Sequence, residues 1–480
     1  MVEERLHFVL VPFVAQGHII PTLDLARLLA ERGVLVTLVT TPLNLSRNQA
    51  FVSRVKESGL PILFLTLRFP CEEIGLPAGY ENMDLVPHED EELAKFFVAM
   101  EMMREPLLLH LRRSSPQPCC IISDFCNPWT RHVARELGHN LMHHKVYEGV
   151  DSAHAPVVVP DLPVRIEVTM AQAPGIFPLP DWKWMSDEVS EAESSSHGTV
   201  VNTFASLEHG YISLYEKVKG KKVWAVGPVS LCNKLATDAA SRGDKAVINE
   251  EKCLTWLDSR EPRSVLYASF GTLVGYPLAQ LVELGMGLEA AQRPIIWVIK
   301  AGELQSAVEE WLAEGFEERT RDRILIIRGW APQMTILSHP SIGGFLTHCG
   351  WNSSLEGIAA GVPLLTWPGF ADQFLNERFL VDVLRVGISC GMKRPFWDET
   401  VISGDVKVKR EDLKKAVERL MGNGIEAHEL RKRTTELRNM ARCAMDVGGS
   451  SEESLMQFIN EVSLLAKKQI STTEIQQEKD

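Results

Sequence analysis

Short apolar runs alternate with amphipathic helical patterns along most of the 480-residue chain. Each run is followed by a turn signal or a helical pattern, as in strands of a parallel sheet. This alternation predicts an α/β protein with doubly wound parallel sheets. The predicted strands are Leu6–Phe13, Val34–Thr41, Pro61–Leu67 and Cys119–Asp124 in the first half, and Ser264–Phe270, Pro294–Lys300, Ile324–Trp330, Ile342–His348 and Pro363–Trp367 in the second.

The pattern occurs twice, which predicts two domains of similar architecture. A polar, alanine-rich stretch, Leu231–Glu251, is predicted to link them. We therefore expect residues 1–240 to form an N-terminal domain and residues 241–450 a C-terminal domain. Residues 451–480 are expected to form a helix that packs back toward the N-terminal domain, with a frayed polar tail after Gln469.

Strand order then predicts a juxtaposition of two distant side chains. In the common doubly wound order the first and fourth strands are neighbours, and ligands bind at their carboxyl ends. His18 follows the first strand and Asp124 ends the fourth. A histidine oriented by a carboxylate can act as a general base near neutral pH. The structural alternative is that Asp124 only caps the next helix and His18 is a turn residue.

In the second half, the strand Ile342–His348 leads through a glycine-containing turn into a helix that Gly361 ends. Backbone N–H groups at a helix N-terminus attract anions, so a diphosphate suits this turn, and a cation-capable imidazole adds to it. The same strand order brings Ser269 and Thr272 to the turn. The turn residues are His348, Cys349, Gly350, Trp351, Asn352 and Ser353.

Neighbouring side chains suit the rest of a nucleotide. Trp330 offers a flat face to a base, and Gln333 can pair with the edge of that base. Glu356, one turn into the helix, can accept ribose hydroxyls as an acidic residue does in dinucleotide folds. Each of these residue types also occurs in ordinary packing or hydrogen-bonding roles. Their joint occurrence in one unbroken order is what favours a binding site.

The segment from Trp330 to Gln373, with WAPQ at its start, HCGWNS within it and DQ at its end, resembles the signature box of plant secondary-product UDP-glycosyltransferases. The resemblance extends from VPFVAQGH near the start to SSEESL near the end. It implies a GT-B fold, with two Rossmann-like domains facing a cleft, and catalytic roles for His18 and Asp124. The UDP-sugar-binding residues that it implies are Ser269, Thr272, Trp330, Ala331, Gln333, His348, Gly350, Trp351, Asn352, Ser353, Glu356, Asp372 and Gln373.

The resemblance also implies a reaction, the inverting transfer of a hexose from a UDP-sugar to a hydroxyl of a small lipophilic plant metabolite. Flavonoids, other phenolics and triterpenoids or steroids are the implied acceptor classes. In that family Asp372 and Gln373 occupy the positions that bind hexose hydroxyls, and a glutamine at the second of them accompanies glucose donors. The chain contains no Asp-x-Asp or HExxH motif, so neither a metal nor another cofactor is expected.

Composition narrows the partners and the compartment. A formal net charge of −13 argues against nucleic acid, whose phosphates would be repelled. The nine scattered cysteines include no CxxC pair, which is typical of a reduced, cytoplasmic protein. No apolar stretch approaches the length of a membrane span, and the first apolar run is expected to be a strand rather than a signal peptide. A monomer is expected.

One segment departs from the family pattern. Gly138–Lys145 contains no apolar run, so we expect the fifth strand of the first sheet to be absent, with about 15 residues missing relative to the family. UDP-sugar binding should survive such a loss, whereas acceptor binding and activity are less secure. One alternative function is therefore a UDP-sugar-binding protein with impaired or lost transferase activity. A second alternative is an epimerase or hydrolase of UDP-sugars that uses the same two-domain fold.

Overall fold

The computed structural model describes residues 5–87, 90–137, 140–144, 156–159, 162–169, 172, 183–246, 248, 250–273, 275–300, 305–395 and 406–477. In these ranges the chain forms a seven-stranded sheet, a six-stranded sheet and a separate two-stranded ribbon. The first nine strands are β1 His7–Val11, β2 Leu35–Thr40, β3 Ile62–Thr66, β4 Cys120–Asp124, β5 Asn140–His144, β6 Pro156–Val158, β7 Glu167–Thr169, β8 Gly198–Val201 and β9 Lys222–Ala225. The remaining six are β10 Val265–Ser269, β11 Ile295–Ile299, β12 Ile324–Arg328, β13 Ile342–Thr347, β14 Leu364–Thr366 and β15 Gly387–Ser389.

Both large sheets are parallel throughout, and the ribbon β6–β7 is antiparallel. The first sheet has the order β3-β2-β1-β4-β5-β8-β9, and the second the order β12-β11-β10-β13-β14-β15. All nine predicted strands are present and lie within their predicted bounds. The predicted neighbours, first and fourth strand in each half, are confirmed as β1 beside β4 and β10 beside β13.

Helices follow the strands and bury both faces of each sheet. In β1, Phe8 and Leu10 pack into one apolar cluster, while Val9 and Val11 pack into another on the opposite face. The helices are α1 Gln16–Ala30, α2 Pro42–Arg47, α3 Gln49–Ser58, α4 Asp90–Met102, α5 Arg104–Leu111, α6 Thr130–Leu137, α7 Lys183–Ser195, α8 Tyr211–Lys219, α9 Ala236–Ala240 and α10 Glu250–Asp258. They continue as α11 Leu278–Ala290, α12 Gln305–Trp311, α13 Glu317–Thr320, α14 Gln333–Leu337, α15 Trp351–Ala360, α16 Gln373–Arg378, α17 Arg410–Met421, α18 Ile425–Met445 and α19 Ser450–Gln477. None of the helices in the described ranges is long and apolar enough to cross a bilayer.

The expectation that the first sheet lacks its fifth strand is wrong. Asn140–His144 forms β5, which pairs in parallel with β4 over its whole length and with β8 on its other side. Strand pairing uses backbone groups, and a strand between β4 and β8 satisfies donors and acceptors that a gap would leave unpaired. Position in the sheet therefore outweighs the polar side chains. The absence of about 15 residues remains a prediction, and residues 145–155, which follow β5, lie outside the described residues.

The C-terminal helix α19 packs against the first sheet. The ring centroid of Phe458 lies 5.1 Å from that of Trp224 on β9 and 5.6 Å from that of Phe8 on β1. All three rings are fully buried, which ties the end of the chain to the N-terminal core. The helix extends to Gln477 and so includes residues that were expected to belong to the polar tail. No glycine or proline follows Lys467 to stop it.

We expect Phe458→Ala to destabilise the protein by about 3–5 kcal/mol, because it leaves a cavity among large aromatic rings. Urea denaturation, followed by circular dichroism, measures the change. Leu464→Ala is the control, since Leu464 lies on the same helix with 60% of its surface exposed. Its effect should stay within about 0.5 kcal/mol. Equal losses from both variants would show that α19 is not anchored through Phe458.

Candidate active site

Adjacent strands bring His18 and Asp124 together at the carboxyl edge of the first sheet. The loop after β1 lies beside the end of β4, since Val11 is in register with Ser123. His18 Nδ1 lies 2.7 Å from Asp124 Oδ2, so the predicted contact is present. The other carboxylate oxygen of Asp124 accepts the N–H of Cys126 at 2.9 Å. The carboxylate therefore both caps the turn that follows β4 and orients the imidazole.

The surroundings of His18 combine apolar rings with negative charge. Phe13 and Phe125 flank the ring, with centroid distances of 5.2 and 6.1 Å. Burial lowers the pKa of His18. The charge and hydrogen bond of Asp124, together with the charge of Asp372, raise it by more than burial lowers it, so the pKa lies above its usual value. About 29% of the His18 side chain is exposed, and its Nε2 has no hydrogen-bond partner within the described ranges.

The turn after β13 presents a helix N-terminus. Gly350 is the N-cap residue of α15, and no side chain caps this end, so the first N–H groups of the helix lack a side-chain acceptor. Cys349 adopts a left-handed backbone with a φ of 65°, and its carbonyl accepts a hydrogen bond from Asn376 Nδ2 at 2.9 Å. Ser269 ends β10 in register with Thr347, next to this turn. The N–H groups and the helix dipole suit an anion.

His348 differs from the expected cation-capable ring. Burial lowers its pKa to about 4, so the imidazole is neutral at physiological pH. Its Nδ1 is buried and has no hydrogen-bond partner among the described residues. Glycines allow the close approach of this ring, since a Cβ on Gly350 would lie 2.4 Å from His348 Nε2 and one on Gly271 would lie 2.8 Å away. A neutral imidazole contributes a hydrogen bond to an anion, and not a full charge.

The residues predicted to bind the nucleobase and the ribose lie beside α15, the helix that follows this turn. Glu356 is buried, and its Oε2 accepts a hydrogen bond from Gln333 Nε2 at 2.9 Å. Gln333 Nε2 also lies 3.2 Å from Ser353 Oγ, so side chains of α15 engage the amide nitrogen, and base recognition by Gln333 stays a prediction. Trp330 is half-buried, because Gly243 covers one edge of its ring. A Cβ on Gly243 would lie 2.1 Å from Trp330 Cζ2.

The predicted sugar-binding pair lies at the start of α16. Asn376 Nδ2 donates to Asp372 Oδ2 at 2.8 Å as well as to the turn carbonyl described above. Gln373 Oε1 accepts the backbone N–H groups of Gly369 and Phe370 at 2.8 and 3.2 Å. Burial raises the pKa of Asp372, and the Asn376 hydrogen bond and the charge of His18 offset part of this rise. Asn376 thus joins the turn His348–Ser353, called the anion turn below, to the loop Gly369–Asp372, called the Asp372 loop.

Polar contacts across the cleft bring the two half-sites together. Asn352, at the start of α15, donates from Nδ2 to the carbonyl of Gly17, the residue before His18. Its Oδ1 accepts from Asn202 Nδ2 at 3.0 Å, and Trp351 Nε1 donates to the Asn202 carbonyl at 2.8 Å. The imidazole of the first domain and the anion turn of the second therefore border one groove.

The remaining predicted residues also lie near this groove. Thr272 is partly exposed in the loop after β10, and Ala331 is buried in the turn before α14. The structure thus gathers every predicted site residue around the two half-sites. Three polar residues were missed by sequence reasoning: Asn202, Arg242 and Asn376. Of these, only Asn376 carried a usable signal, since it lies one helical turn after Asp372.

Comparison with protein families gives two matches that together span most of the chain. A family described as "Glycosyltransferase, N-terminal domain" matches residues 4–231. A second family, described as "UDP-glucoronosyl and UDP-glucosyl transferase", matches residues 228–387. The second match contains the anion turn and the Asp372 loop.

Whole-length relatives come from plants. The chain is 47% identical to UDP-glycosyltransferase 73C12 of Barbarea vulgaris, covering 96% of this chain and 97% of that protein. It is 46% identical to UDP-glycosyltransferase 73C5 of Arabidopsis thaliana, with the same coverage of 96% and 97%.

Solved structures share the fold. UGT73P12 of Glycyrrhiza uralensis, complexed with glycyrrhetinic acid 3-O-monoglucuronide, superimposes with a TM-score of 0.86 at 34% identity, covering 98% of both chains. UGT89C1 of Arabidopsis thaliana, complexed with UDP-L-rhamnose, gives a TM-score of 0.74 at 28% identity over 96% of this chain and 99% of that one. These neighbours are GT-B enzymes, which confirms the expected fold class.

The pKa values of His18 and His348 should be shifted in opposite directions from that of free histidine. We expect the ¹³Cε1 resonance of His348 to titrate near pH 4 and that of His18 above the value of about 6.5 for free histidine. Assignment uses His348→Gln and His18→Ala in protein labelled on histidine.

His348 should destabilise the fold as pH falls from about 6.5 toward 4, because only the unfolded state then takes up its proton. His18 should stabilise the fold below about pH 6.5, and this contribution is lost as pH rises through its folded pKa. A normal pKa for His348 would contradict its burial.

Proposed function

This chain belongs to the plant UDP-glycosyltransferases, and from that premise we propose that it transfers glucose from UDP-glucose to a hydroxyl of a small lipophilic plant metabolite. Membership of the family makes it an enzyme that moves a sugar from a UDP-sugar to a small acceptor. The finer assignment rests above all on one observation: the His18–Asp124 pair borders the same groove as the N-terminus of α15. A base for the acceptor and a site for the leaving diphosphate thus lie opposite each other.

The proposed reaction is a single displacement. His18 Nε2 takes the proton of the acceptor hydroxyl while the acceptor oxygen forms a bond to the anomeric carbon of the sugar. The bond between that carbon and the diphosphate oxygen breaks at the same time, and its electron pair leaves with UDP. Attack opposite the leaving group inverts the anomeric configuration. Asp124 fixes the imidazole and stabilises the imidazolium that forms, since its Oδ2 already contacts Nδ1.

The developing charge on UDP is met, in this proposal, by hydrogen bonds and the dipole of α15. The uncapped N–H groups after Gly350 and the neutral His348 ring supply donors in a buried setting, where electrostatic interactions are strong. Within the part of the chain that the structure describes, no three His, Cys, Asp or Glu side chains group as metal ligands. We therefore propose a metal-independent reaction.

Buried aromatic rings pack next to the proposed base. Phe13 contacts His18 and stacks on Phe97 with a centroid distance of 5.7 Å, and Phe96 lies 6.3 Å from Phe13. A groove beside this apolar packing suits planar or polycyclic apolar acceptors. Related structures hold quercetin and glycyrrhetinic acid 3-O-monoglucuronide. We propose flavonoids, other phenolics and triterpenoids or steroids as the acceptor classes.

The hydrogen bonds of Gln373 bear on the identity of the donor, and the cysteines bear on the compartment. The amide oxygen of Gln373 is engaged by its own loop, which leaves the amide nitrogen as a donor for a hexose hydroxyl beside Asp372. This supports a hexose donor, and the family resemblance favours glucose. All nine cysteines are free, which supports a reducing compartment and hence the cytoplasm. The non-catalytic alternative depended on a missing strand that is present as β5, and no described feature favours it.

We expect His18→Ala to lower kcat for glucosyl transfer by about 10²–10⁴-fold, because it removes the general base. Affinity for UDP should stay within about twofold, since UDP does not contact this ring in the proposed mechanism. Product formation is measured by mass spectrometry and UDP binding by calorimetry. His110→Ala, an exposed histidine on α5, is the control and should keep full activity. Persistent activity in His18→Ala would exclude His18 as the base.

A panel of aglycones tests the reaction class. Incubation with UDP-glucose should give glucosides of one or more flavonoid, phenolic or triterpenoid acceptors, and UDP-galactose should react more slowly. Separate incubations are needed because the two hexosides have equal mass. Donor consumption without acceptor would instead indicate an epimerase or hydrolase. UDP binding with no product from any acceptor would indicate a non-catalytic UDP-sugar-binding protein.

A further inference from the structure

The stretch between the two sheets is fixed in place by ion pairs. Asp238 on α9 contacts both Arg27 of α1 and Arg54 of α3. Asp244, just beyond this helix, lies 3.6 Å from Arg47 of α2. The predicted linker is therefore a docked element of the N-terminal domain. It brings the residues between these anchors to the edge of the cleft.

Arg242 lies between those anchors and contacts both domains. Its Nη2 donates to Asp24 Oδ2 at 2.6 Å and its Nε to the same oxygen at 3.1 Å. Its Nη1 donates to Glu356 Oε1 at 2.7 Å. The side chains of Arg242, Asp24 and Glu356 are 9%, 1% and 9% exposed, so one buried cation serves two buried carboxylates. Burial raises the pKa of Asp24, and Arg242 offsets part of that rise.

Glu356 has room for further hydrogen bonds. Arg242 occupies one of its carboxylate oxygens and Gln333 the other, whereas a carboxylate offers about four acceptor positions. Gln333 fixes its second oxygen from α14, close to the turn that carries Trp330, whose ring edge is covered by Gly243. The ribose of a uridine diphosphate connects the base to the diphosphate. A carboxylate between Trp330 and the N-terminus of α15 is thus positioned for ribose hydroxyls.

We infer that Arg242 is a positioning residue for donor recognition, which holds the Glu356 carboxylate in the orientation that accepts the ribose hydroxyls of the UDP-sugar. The inference rests on the proposed function. Arg242 belongs to the interdomain stretch and has no direct contact with the nucleotide in this scheme. Its second partner, Asp24, lies on α1, the helix that carries His18. The same guanidinium therefore links the helix of the base to the helix that binds the diphosphate.

Calorimetry of the full-length protein with two nucleotides tests this role. Wild type should bind UDP about 10-fold more tightly than 2′,3′-dideoxy-UDP, which lacks the hydroxyls that Glu356 would bind. Arg242→Met should weaken UDP about 10-fold and the dideoxy nucleotide less than about twofold, so the preference is lost. The KM for UDP-glucose should rise by a similar factor, with kcat within about threefold. Arg68→Met is the control and should keep the wild-type preference, because Arg68 is 65% exposed and pairs with Glu73 rather than with Asp24 or Glu356.

The result that overturns the inference is an equal loss for both nucleotides in folded Arg242→Met, which would indicate only a structural role. Folding is checked by circular dichroism and thermal melting, since removal of a buried cation leaves two carboxylates unpaired. If the methionine variant does not fold, Arg242→Lys decides instead, because lysine retains the charge and loses the guanidinium fork. A reduced preference in that variant supports the inference, and an unchanged one overturns it. Absence of UDP binding by wild type would refute the proposed function itself, and with it this inference.

Discussion

In each sheet a central strand pairs in parallel with a strand that leads into the candidate site. These pairs are β1 with β4 and β10 with β13. Parallel strands end at one edge of a sheet, so side chains from distant parts of the chain converge there. Asp124 ends one of these strands, and the turn to α15 follows another. Without this pairing His18 would have no carboxylate, and Ser269 would not lie beside the anion turn. Much of the site geometry therefore depends on strand order.

Two imidazoles in one groove behave differently because only one has a carboxylate. Asp124 and the charge of Asp372 raise the pKa of His18 in spite of burial, whereas His348 is desolvated without compensation. A ring that favours its protonated form suits a group that accepts a proton during the reaction. A ring held neutral suits a fixed hydrogen-bond donor beside a diphosphate. The environment thus assigns the same residue type to two tasks.

Polar contacts connect the two domains at the groove. Asn352 reaches the backbone of Gly17, Asn202 holds Asn352, and Arg242 joins carboxylates from both domains. Phe204 and Leu207 of the first domain also pack into the apolar cluster of the second. At the groove itself, the alignment of the two half-sites depends on a small number of directional hydrogen bonds and ion pairs.

The sequence alone predicts nine of the fifteen described strands, the neighbouring pairs β1–β4 and β10–β13, and the candidate residues, because apolar runs and the 330–373 segment are local patterns. The strand at polar Asn140–His144 arises from the assembled sheet, since its place between β4 and β8 outweighs its composition. The neutral state of His348 likewise depends on burial. The role of Arg242 could not be predicted either, because its partners Asp24 and Glu356 are 218 and 114 positions away. Pairing and desolvation arise between segments, and no local pattern encodes them.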